Sequence, residues 1–501
     1  MKKLIHIIPL LLLTWVLPLS AAVSTLEKNV EELKLSNGMV FLLVPRKGAP
    51  VFTGYIRVKV GGADEKPEYT GIAHMLEHMA FKGTSRIGTR NYAAEKQVLD
   101  QIEKVGVQLS ELTRQKQSDS DETKKLKEEM KVLQAKAEIF VVKDEYSRTF
   151  TENGGTEFNA TTSKDLTSYF VSLPINKLEL WAYLTSTALK DPVFREFYQE
   201  RDVVMEERRM RVDDDPFGKN YEEFLKLAFQ KSPYQDPTIG YAEDIAALTA
   251  TDLKNFYGTY YVPQNMVGAV VGDIDVARTK AILQRYFGSI PAGKNPPTID
   301  VKEPEQTQAQ RAVVEFNARP QVMIGYHKPT LPSKDDYVFD LIGQVLCEGR
   351  SSRLYKNLVE KEKIAQSVDC DTGTPGARLD NMLFIYGTAI GKNSPEELEK
   401  SIVAQLEKLK TEPVSKEELE RAKNQLISEL LFKMSSNFGL AESLTYFQAV
   451  AGNWKYLTEH ASVLETITPQ EIQTVAKKYL VKSNQTVSIL KPSSKQTGAK
   501  E

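Results

Sequence analysis

The sequence contains few of the residues that build disulfide-rich or cysteine-ligated proteins. Two cysteines occur in 501 residues, which excludes a disulfide scaffold, a cysteine-rich zinc module and an iron–sulfur protein. An excess of one charge is also lacking, because 65 basic residues face 67 acidic ones. The composition therefore gives no reason to expect binding to nucleic acid or to an acidic membrane. With 41% hydrophobic residues the chain is globular in composition, and its length predicts two or more domains.

Long apolar runs are absent from the sequence except at the N-terminus. Two lysines precede an uncharged apolar run over residues 4–19, and a Ser-Ala-Ala sequence follows it. This pattern predicts a secretory signal peptide over residues 1–22. A membrane-spanning anchor is the alternative, but two prolines interrupt the run. We therefore expect an exported, periplasmic protein without a stable membrane anchor. Cys347 and Cys370 could pair in such an oxidising compartment, although the sequence does not decide this.

The mature chain has the pattern of two related halves. Residues 291–310 are rich in Pro, Lys, Glu and Gln and are the best candidate for a linker. The pattern from Thr249 to Asn265 returns at a constant offset of 219 residues from Thr468 to Asn484, and in both places a threonine begins a helix that leads into a strand. We expect an α+β protein of two homologous domains, at residues 23–290 and 311–501. Each domain is predicted to be a mostly antiparallel β-sheet with helices packed on it.

Within the first half, residues 92–147 are unusually charged. Two helical stretches, Tyr92–Gln117 and Glu122–Val142, flank a polar turn and predict an antiparallel helical hairpin. Its runs of charge are those of a solvated helical face with i,i+4 pairs.

A helical segment of the first half carries two of the five histidines. His74, Glu77 and His78 form an H-x-x-E-H pattern. In a helix, His74 and His78 share a face, and their imidazoles can converge on one metal ion. Glu77 lies beside them and is the natural general base for water that zinc has acidified. The alternative, a helix with two incidental histidines, requires a chance match to a rare pattern.

A catalytic zinc site needs a third protein ligand. Glu200 and Glu207 are two turns apart in a charged helical segment, and so they share a face. Either residue can point at the metal while the other supports the site, and spacing alone does not choose between them.

Together these segments resemble the pitrilysin/insulinase family of zinc peptidases, which includes the mitochondrial processing peptidases. The two-domain length is similar to that of the bacterial branch of the family. The resemblance extends over nearly the whole mature chain, and the matching segments are His74–His78, Phe81–Thr84, Gly154-Gly155, Asn159–Ser163 and Glu200–Glu207.

The resemblance implies an activity and a role for each candidate residue. The protein is expected to be a zinc-dependent endopeptidase that hydrolyses short or unfolded peptides, with one Zn²⁺ per chain. His74, His78 and Glu207 correspond to the zinc ligands, Glu77 to the catalytic base, and Glu200 to the carboxylate that supports the ligands.

The resemblance also places Asn159 and Ala160 in a substrate-binding edge strand. A peptide adds there as an extra β-strand held by backbone hydrogen bonds. The helical hairpin at about 92–147 departs from the family pattern as an insertion, which could shape the entrance or bind a partner.

The second half departs from fully active members of the family. Their Arg and Tyr, which bind the substrate carbonyl and the developing oxyanion, align with Val359 and Gln366 here. Arg353 and Tyr355 are nearby but out of register, and we interpret them as structural. We expect a heterodimer with a homologous zinc-less subunit that supplies the Arg and Tyr, with a homodimer as the alternative. The competing function is a catalytically silent peptide-binding or assembly subunit, against which the complete zinc motif argues.

Overall fold

The computed structural model describes residues 26–493. The signal peptide predicted over residues 1–22 lies outside the described residues. Within them, no helix combines the length and the apolar character needed to cross a membrane.

The first half of the chain forms a six-stranded mixed sheet. Its strands are β1 (Glu31–Lys34), β2 (Val40–Pro45), β3 (Val51–Val58), β4 (Thr156–Thr162), β5 (Thr167–Pro174) and β6 (Met266–Gly272). The spatial order is β1-β2-β6-β3-β5-β4, and every neighbouring pair is antiparallel except β2–β6.

The second half forms a five-stranded sheet with a corresponding order. Its strands are β7 (Gln310–Glu315), β8 (Gln321–Lys328), β9 (Ala365–Thr374), β10 (Asn381–Ala389) and β11 (Gln485–Lys491). The order is β7-β11-β8-β10-β9, and the parallel pair is β7–β11. Without β1 the two sheets match strand for strand, since in each the last strand of the half lies between its first two strands. The predicted α+β class with two mostly antiparallel sheets is confirmed.

Helices cover the sheets in both halves. In the first half they are α1 (Ile72–Met79), α2 (Tyr92–Arg114), α3 (Asp121–Glu138), α4 (Glu145–Glu152), α5 (Leu178–Ala188), α6 (Phe197–Arg208), α7 (Pro216–Ala228), α8 (Ala242–Ala247), α9 (Ala250–Tyr260) and α10 (Val276–Tyr286). In the second half they are α11 (Lys334–Cys347), α12 (Pro395–Thr411), α13 (Lys416–Ser435), α14 (Asn437–Val450), α15 (Tyr456–Thr466) and α16 (Pro469–Tyr479). The predicted hairpin is α2 and α3, which end a few residues before their predicted limits.

The sequence echo between the halves corresponds to equivalent contacts. Thr249 and Thr468 each begin a helix with a reciprocal capping box. Asn265 and Asn484 each donate a side-chain hydrogen bond to the backbone carbonyl five residues earlier, at 3.0 and 2.9 Å. The same side chains therefore set the same helix-to-strand connection in both halves.

The two halves also exchange helices. Helix α7 of the first half packs on β7, β8 and β11, and α14 of the second half packs on β2, β3 and β6. Trp454 and Leu444 are buried against residues of the first sheet, and Phe224 is buried against Met323 of the second. Removing these apolar side chains from water holds the two halves together. Residues 291–309 of the connection contain no helix or strand.

Cys347 and Cys370 form a disulfide in the second half. The bond joins the C-terminal end of α11 to strand β9, with a Cα–Cα distance of 5.7 Å. This distance lies within the usual range for disulfides. The structure thus brings together the two cysteines whose pairing the sequence left open.

We expect loss of this bond to destabilise the second half. Cys347→Ser or Cys370→Ser should lower the free energy of unfolding by about 2–4 kcal/mol, because the unfolded chain regains the freedom of the open loop. Urea unfolding with and without a reductant measures the loss, and reductant should leave both variants unchanged. Quantitative alkylation of both cysteines in the unreduced, unfolded wild-type protein would contradict the pairing.

Candidate metal centre

Helix α1 begins at a position that glycine and a remote carboxylate define. Gly71 has a φ of +87°, a left-handed conformation that favours glycine. A Cβ there would lie 2.6 Å from the carbonyl oxygen of Ile239. Glu65 accepts hydrogen bonds from the backbone N–H groups of Gly71 and Ala73, at 2.9 and 2.8 Å. The carboxylate of Glu65 therefore caps the helix that carries the H-x-x-E-H residues.

His74, His78 and Glu207 converge between α1 and α6. Oε2 of Glu207 lies 3.7 Å from Nε2 of His74 and 3.3 Å from Nε2 of His78. One donor atom from each of the three residues lies within 4.8 Å of the others. Two atoms that each lie about 2.0–2.1 Å from a tetrahedral zinc ion are roughly 3.3 Å apart, so this set has the spacing and chemistry of a zinc site.

Glu200 holds the second nitrogen of His78. Its Oε1 lies 2.9 Å from Nδ1 of His78, and its Oε2 lies 2.7 Å from Nζ of Lys82. This carboxylate–imidazole contact orients the ring so that Nε2 faces Glu207. The structure thus distinguishes two glutamates that the sequence could not distinguish. Glu207 faces the Nε2 atoms of His74 and His78, and Glu200 faces Nδ1 of His78.

The two imidazoles differ in their electrostatic surroundings. Burial and the neighbouring His78 lower the pKa of His74 to about 4, so this ring is neutral at neutral pH, as a metal ligand must be. Burial also lowers the pKa of His78, but the hydrogen bonds to Glu200 and Glu207 outweigh burial and raise the pKa to about 9. A metal cation held here by His74, His78 and Glu207 would take the place of the proton on Nε2 of His78, while Nδ1 would keep its proton toward Glu200. Among the described residues, Nδ1 of His74 is buried without a hydrogen-bond partner.

Glu77 lies beside this set and is held by strand β4. The hydroxyl group of Thr162 donates a hydrogen bond of 2.5 Å to Oε2 of Glu77. Burial raises the pKa of Glu77, which brings a carboxylate closer to the basicity that proton transfer near neutral pH requires.

Asn159 and Ala160 lie on β4, at the edge of the first sheet. In the described part of the chain, β4 pairs with β5 alone. Asn159 is exposed and Ala160 is buried. The free edge runs from these residues to Thr162, which contacts Glu77.

Val359 and Gln366 lie in the second half. Val359 is in a π-helical segment, Tyr355–Lys361, and packs against the core of that half. Gln366 is exposed on β9 and accepts a hydrogen bond from Arg319. The nearby Arg353 pairs with Glu418 through two hydrogen bonds of 2.9 and 2.8 Å, which agrees with the structural role expected for it.

Comparison with known proteins identifies the family. The sequence profile described as Insulinase (Peptidase family M16) matches residues 43–138, and the profile described as Peptidase M16 inactive domain matches residues 247–426. The zinc protease PqqE of Helicobacter pylori is 30% identical over 506 residues, which cover 98% of this chain and 99% of the relative. The chain belongs to peptidase family M16. The resemblance to the pitrilysin/insulinase family is confirmed.

Solved structures of bacterial proteases share the fold. A protease from Helicobacter pylori matches with a TM-score of 0.78 and 27% identity, covering 92% of this chain and 99% of that one. The periplasmic protease PqqL from Escherichia coli matches with a TM-score of 0.69 and 18% identity. That match covers 93% of this chain and 48% of PqqL, so the present chain corresponds in fold to about half of PqqL.

Two residues that support the candidate site were not singled out by the sequence. Glu65 caps α1 from outside the motif, and Thr162 reaches Glu77 from a strand 85 residues away. Thr162 lies in a segment that matches the family, but its contact with Glu77 depends on the packing of β4 beside α1. No local spacing signals either contact.

A buried ion pair fixes the loop that follows α1. Arg195 is 1% exposed and donates to Glu95 of α2 at 2.8 Å. It also donates to the carbonyl oxygens of Lys82, Thr84 and Ile87. Arg195 thus joins the start of α6, the helical hairpin and the loop that follows α1.

Removal of Arg195 should strongly destabilise this region. Arg195→Met leaves the buried Glu95 without its partner, and we expect it to lower the free energy of unfolding by about 3–5 kcal/mol. Urea unfolding provides the measurement. Lys96→Met breaks an exposed pair with Asp100 on the same helix and serves as a control that should leave the unfolding midpoint nearly unchanged. Equal midpoints for the two variants would show that the buried pair has no special role.

Proposed function

We propose that this chain is a zinc-dependent endopeptidase that hydrolyses short or unfolded peptides. The convergence of His74, His78 and Glu207, with Glu77 beside them, carries the proposal. The name of the Helicobacter pylori relative, zinc protease PqqE, supports it. We assign the three converging residues as the ligands of one Zn²⁺, and Glu200 as the residue that orients His78.

The side chains divide the work of hydrolysis between them. Bound zinc supplies a Lewis acid that polarises the scissile carbonyl and acidifies water. Glu77 accepts the proton of the attacking water and delivers it to the leaving amine. Thr162 keeps one oxygen of Glu77 in place, which leaves the other oxygen free for the proton.

The substrate is proposed to bind along β4. An extended peptide can add to the free edge at Asn159 and Ala160 through backbone hydrogen bonds, which tolerate many sequences and require an unfolded segment. Because this edge continues to Thr162, the added strand would pass beside Glu77.

We further propose two domains, a periplasmic location and a homologous zinc-less partner. The domains span residues 23–290 and 311–501, joined by 291–310. The predicted signal peptide, the disulfide and the periplasmic neighbour PqqL support export. The absence of Arg and Tyr at Val359 and Gln366 supports a partner that provides them.

A silent peptide-binding or assembly subunit is the second candidate function. The match of residues 247–426 to a profile described as an inactive domain favours it, as do the Val and Gln at the aligned positions. The two candidates differ in whether the protein hydrolyses peptides at all when zinc and a complete oxyanion site are present.

Substitution of the glutamates separates metal binding from catalysis. Glu77→Gln should retain one zinc per chain and lower kcat by roughly 10²- to 10⁴-fold, because the general base is lost. Glu207→Gln should lose zinc. The control is Glu206→Gln, because Glu206 is exposed and pairs with Arg209, and this variant should retain both metal and activity. Metal analysis and hydrolysis of an unstructured fluorogenic peptide measure the two effects.

Two outcomes of this experiment would contradict the assignments. Undiminished hydrolysis by Glu77→Gln removes the proposed base. Equal zinc content in Glu207→Gln and Glu206→Gln removes Glu207 from the ligand set.

The partner proposal predicts weak activity for the isolated chain. Without Arg and Tyr donors near the scissile carbonyl, we expect kcat to be about 10²- to 10³-fold below that of the complete complex. The double variant Val359→Arg/Gln366→Tyr should raise the activity of a homodimer, because each copy then supplies the missing donors to the other. Full activity of the wild-type chain as a lone homodimer would refute the need for a zinc-less partner.

A further inference from the structure

A loop of the second half penetrates the first half close to α1. The turn between β9 and β10 places the backbone N–H groups of Ala377 and Arg378 at 2.6 and 3.2 Å from Oδ2 of Asp165. The guanidinium group of Arg378 donates to both carboxylate oxygens of Asp64, at 2.9 and 3.0 Å. Its Nε also lies 3.5 Å from Oδ1 of Asp165. One arginine of the second half therefore pairs with two carboxylates of the first.

The fit of this turn is close on the side of the first half. A Cβ at Gly376 would lie 2.5 Å from Oδ2 of Asp165 and 2.6 Å from the hydroxyl oxygen of Tyr234. The Tyr234 hydroxyl itself donates to Asp165 at 2.8 Å. The side chains of Asp64 and Asp165 are both 4% exposed, so Arg378 neutralises acidic groups that water scarcely reaches.

The two aspartates lie close in sequence to the two residues that support the proposed active site, Glu65 and Thr162. Asp64 precedes Glu65, whose carboxylate caps α1 at Gly71 and Ala73. Asp165 follows the end of β4, where Thr162 holds Glu77.

The loops are also joined directly by their backbones. The N–H of Gly62 donates to the carbonyl oxygen of Ser163 at 3.1 Å, and that of Ala63 donates to Lys164 at 2.8 Å. A shift of either loop therefore moves both the cap of α1 and the end of β4.

Charge balance explains why the pairing matters. Burial raises the pKa of Asp64, and the charge of Arg378 opposes that effect. Without the arginine, two nearby carboxylates would lose their shared cation in a poorly hydrated region, where their mutual repulsion favours separation. Separation would pull apart the loops that carry Glu65 and Thr162.

We infer that Arg378 is a positioning residue through which the second half of the chain fixes α1 and the end of β4. This inference rests on the proposed function for its meaning, since the groups so positioned are His74, His78 and Glu77. The exchanged helices α7 and α14 bury separate apolar contacts between the halves. The halves should therefore stay associated when Arg378 is changed.

The test compares Arg378 with a matched arginine that lies away from α1. Arg353 pairs with Glu418 through two hydrogen bonds, and its side chain is 16% exposed against 19% for Arg378. Full-length Arg378→Ala, Arg378→Lys and Arg353→Ala are compared with wild type. The measurements are hydrogen exchange at the amides of Gly71 and Ala73, the zinc dissociation constant, and kcat and KM for a peptide.

Arg378→Ala should speed exchange at these two amides and weaken zinc binding roughly tenfold or more, since supporting residues of metal sites have effects of this size. kcat should fall by a larger factor than KM rises, because Arg378 acts at the Thr162 end of β4 while Asn159 and Ala160 keep their pairing with β5. Arg378→Lys should retain part of each property, because lysine keeps the positive charge but lacks the guanidinium group that donates to both carboxylate oxygens of Asp64. Arg353→Ala should leave all of these properties at wild-type values.

The inference is overturned if Arg378→Ala and Arg353→Ala give the same amide exchange and the same zinc affinity. Exchange is measured on the metal-free chain and requires neither zinc nor activity. Failure of the wild-type protein to bind zinc would therefore contradict the proposed function, while the exchange comparison would still decide the role of Arg378.

Discussion

The contact between α1 and α6 is the interaction on which the rest of the site depends. His78 and Glu200 are 122 residues apart in sequence and approach to 2.9 Å. Gathering imidazoles and carboxylates in a partly buried place costs free energy unless each group is paired. The second oxygen of Glu200 is paired with Lys82, and the second oxygen of Glu207 lies 2.9 Å from Arg211. Because Arg211 pairs with Oε1 of Glu207, its Oε2 faces the Nε2 atoms of His74 and His78.

The helical hairpin also supports the position of α6, because its first helix, α2, packs against the start of α6. Gly106 of α2 leaves room for the ring of Tyr198, which a Cβ would overlap. The hydroxyl group of Tyr198 donates to Glu103 at 2.8 Å, and Glu103 also accepts from the backbone of Thr251 at 2.8 Å. A glycine inside a helix lowers the stability of the helix. At position 106 the glycine is explained by the close approach of Tyr198, which leaves no space for a side chain. From sequence the hairpin was a solvated insertion, whereas in the fold its first helix also braces the helix of Glu200 and Glu207.

The features that the sequence predicted are those that depend on the spacing of residues close together in the chain. The H-x-x-E-H pattern fixes which side chains share a face of α1, and the repeated threonine caps predict equivalent connections in the two halves. Glu200 and Glu207 share a face for the same reason, so periodicity alone could not assign their roles. The contacts of Glu65, Thr162 and Arg378 depend on how strands and loops pack after folding. They carry no period that a reading of neighbouring residues could detect.

Comparison of the two halves shows which features the fold requires and which features only the candidate metal site requires. Helix α11 follows β8 in the second half as α1 follows β3 in the first, and β9 takes the edge position that β4 takes. Yet α11 buries an almost continuous apolar surface and has no histidine. The sheet order and the helix caps are therefore compatible with either a polar or an apolar helix at this position. The second half supports the first at three places: α14 packs on the first sheet, the second sheet packs under α7, and Arg378 pairs with the loops beside α1. A substitution in the second half that alters the site without loosening its own core can therefore act through α14, through the sheet beneath α7, or through Arg378.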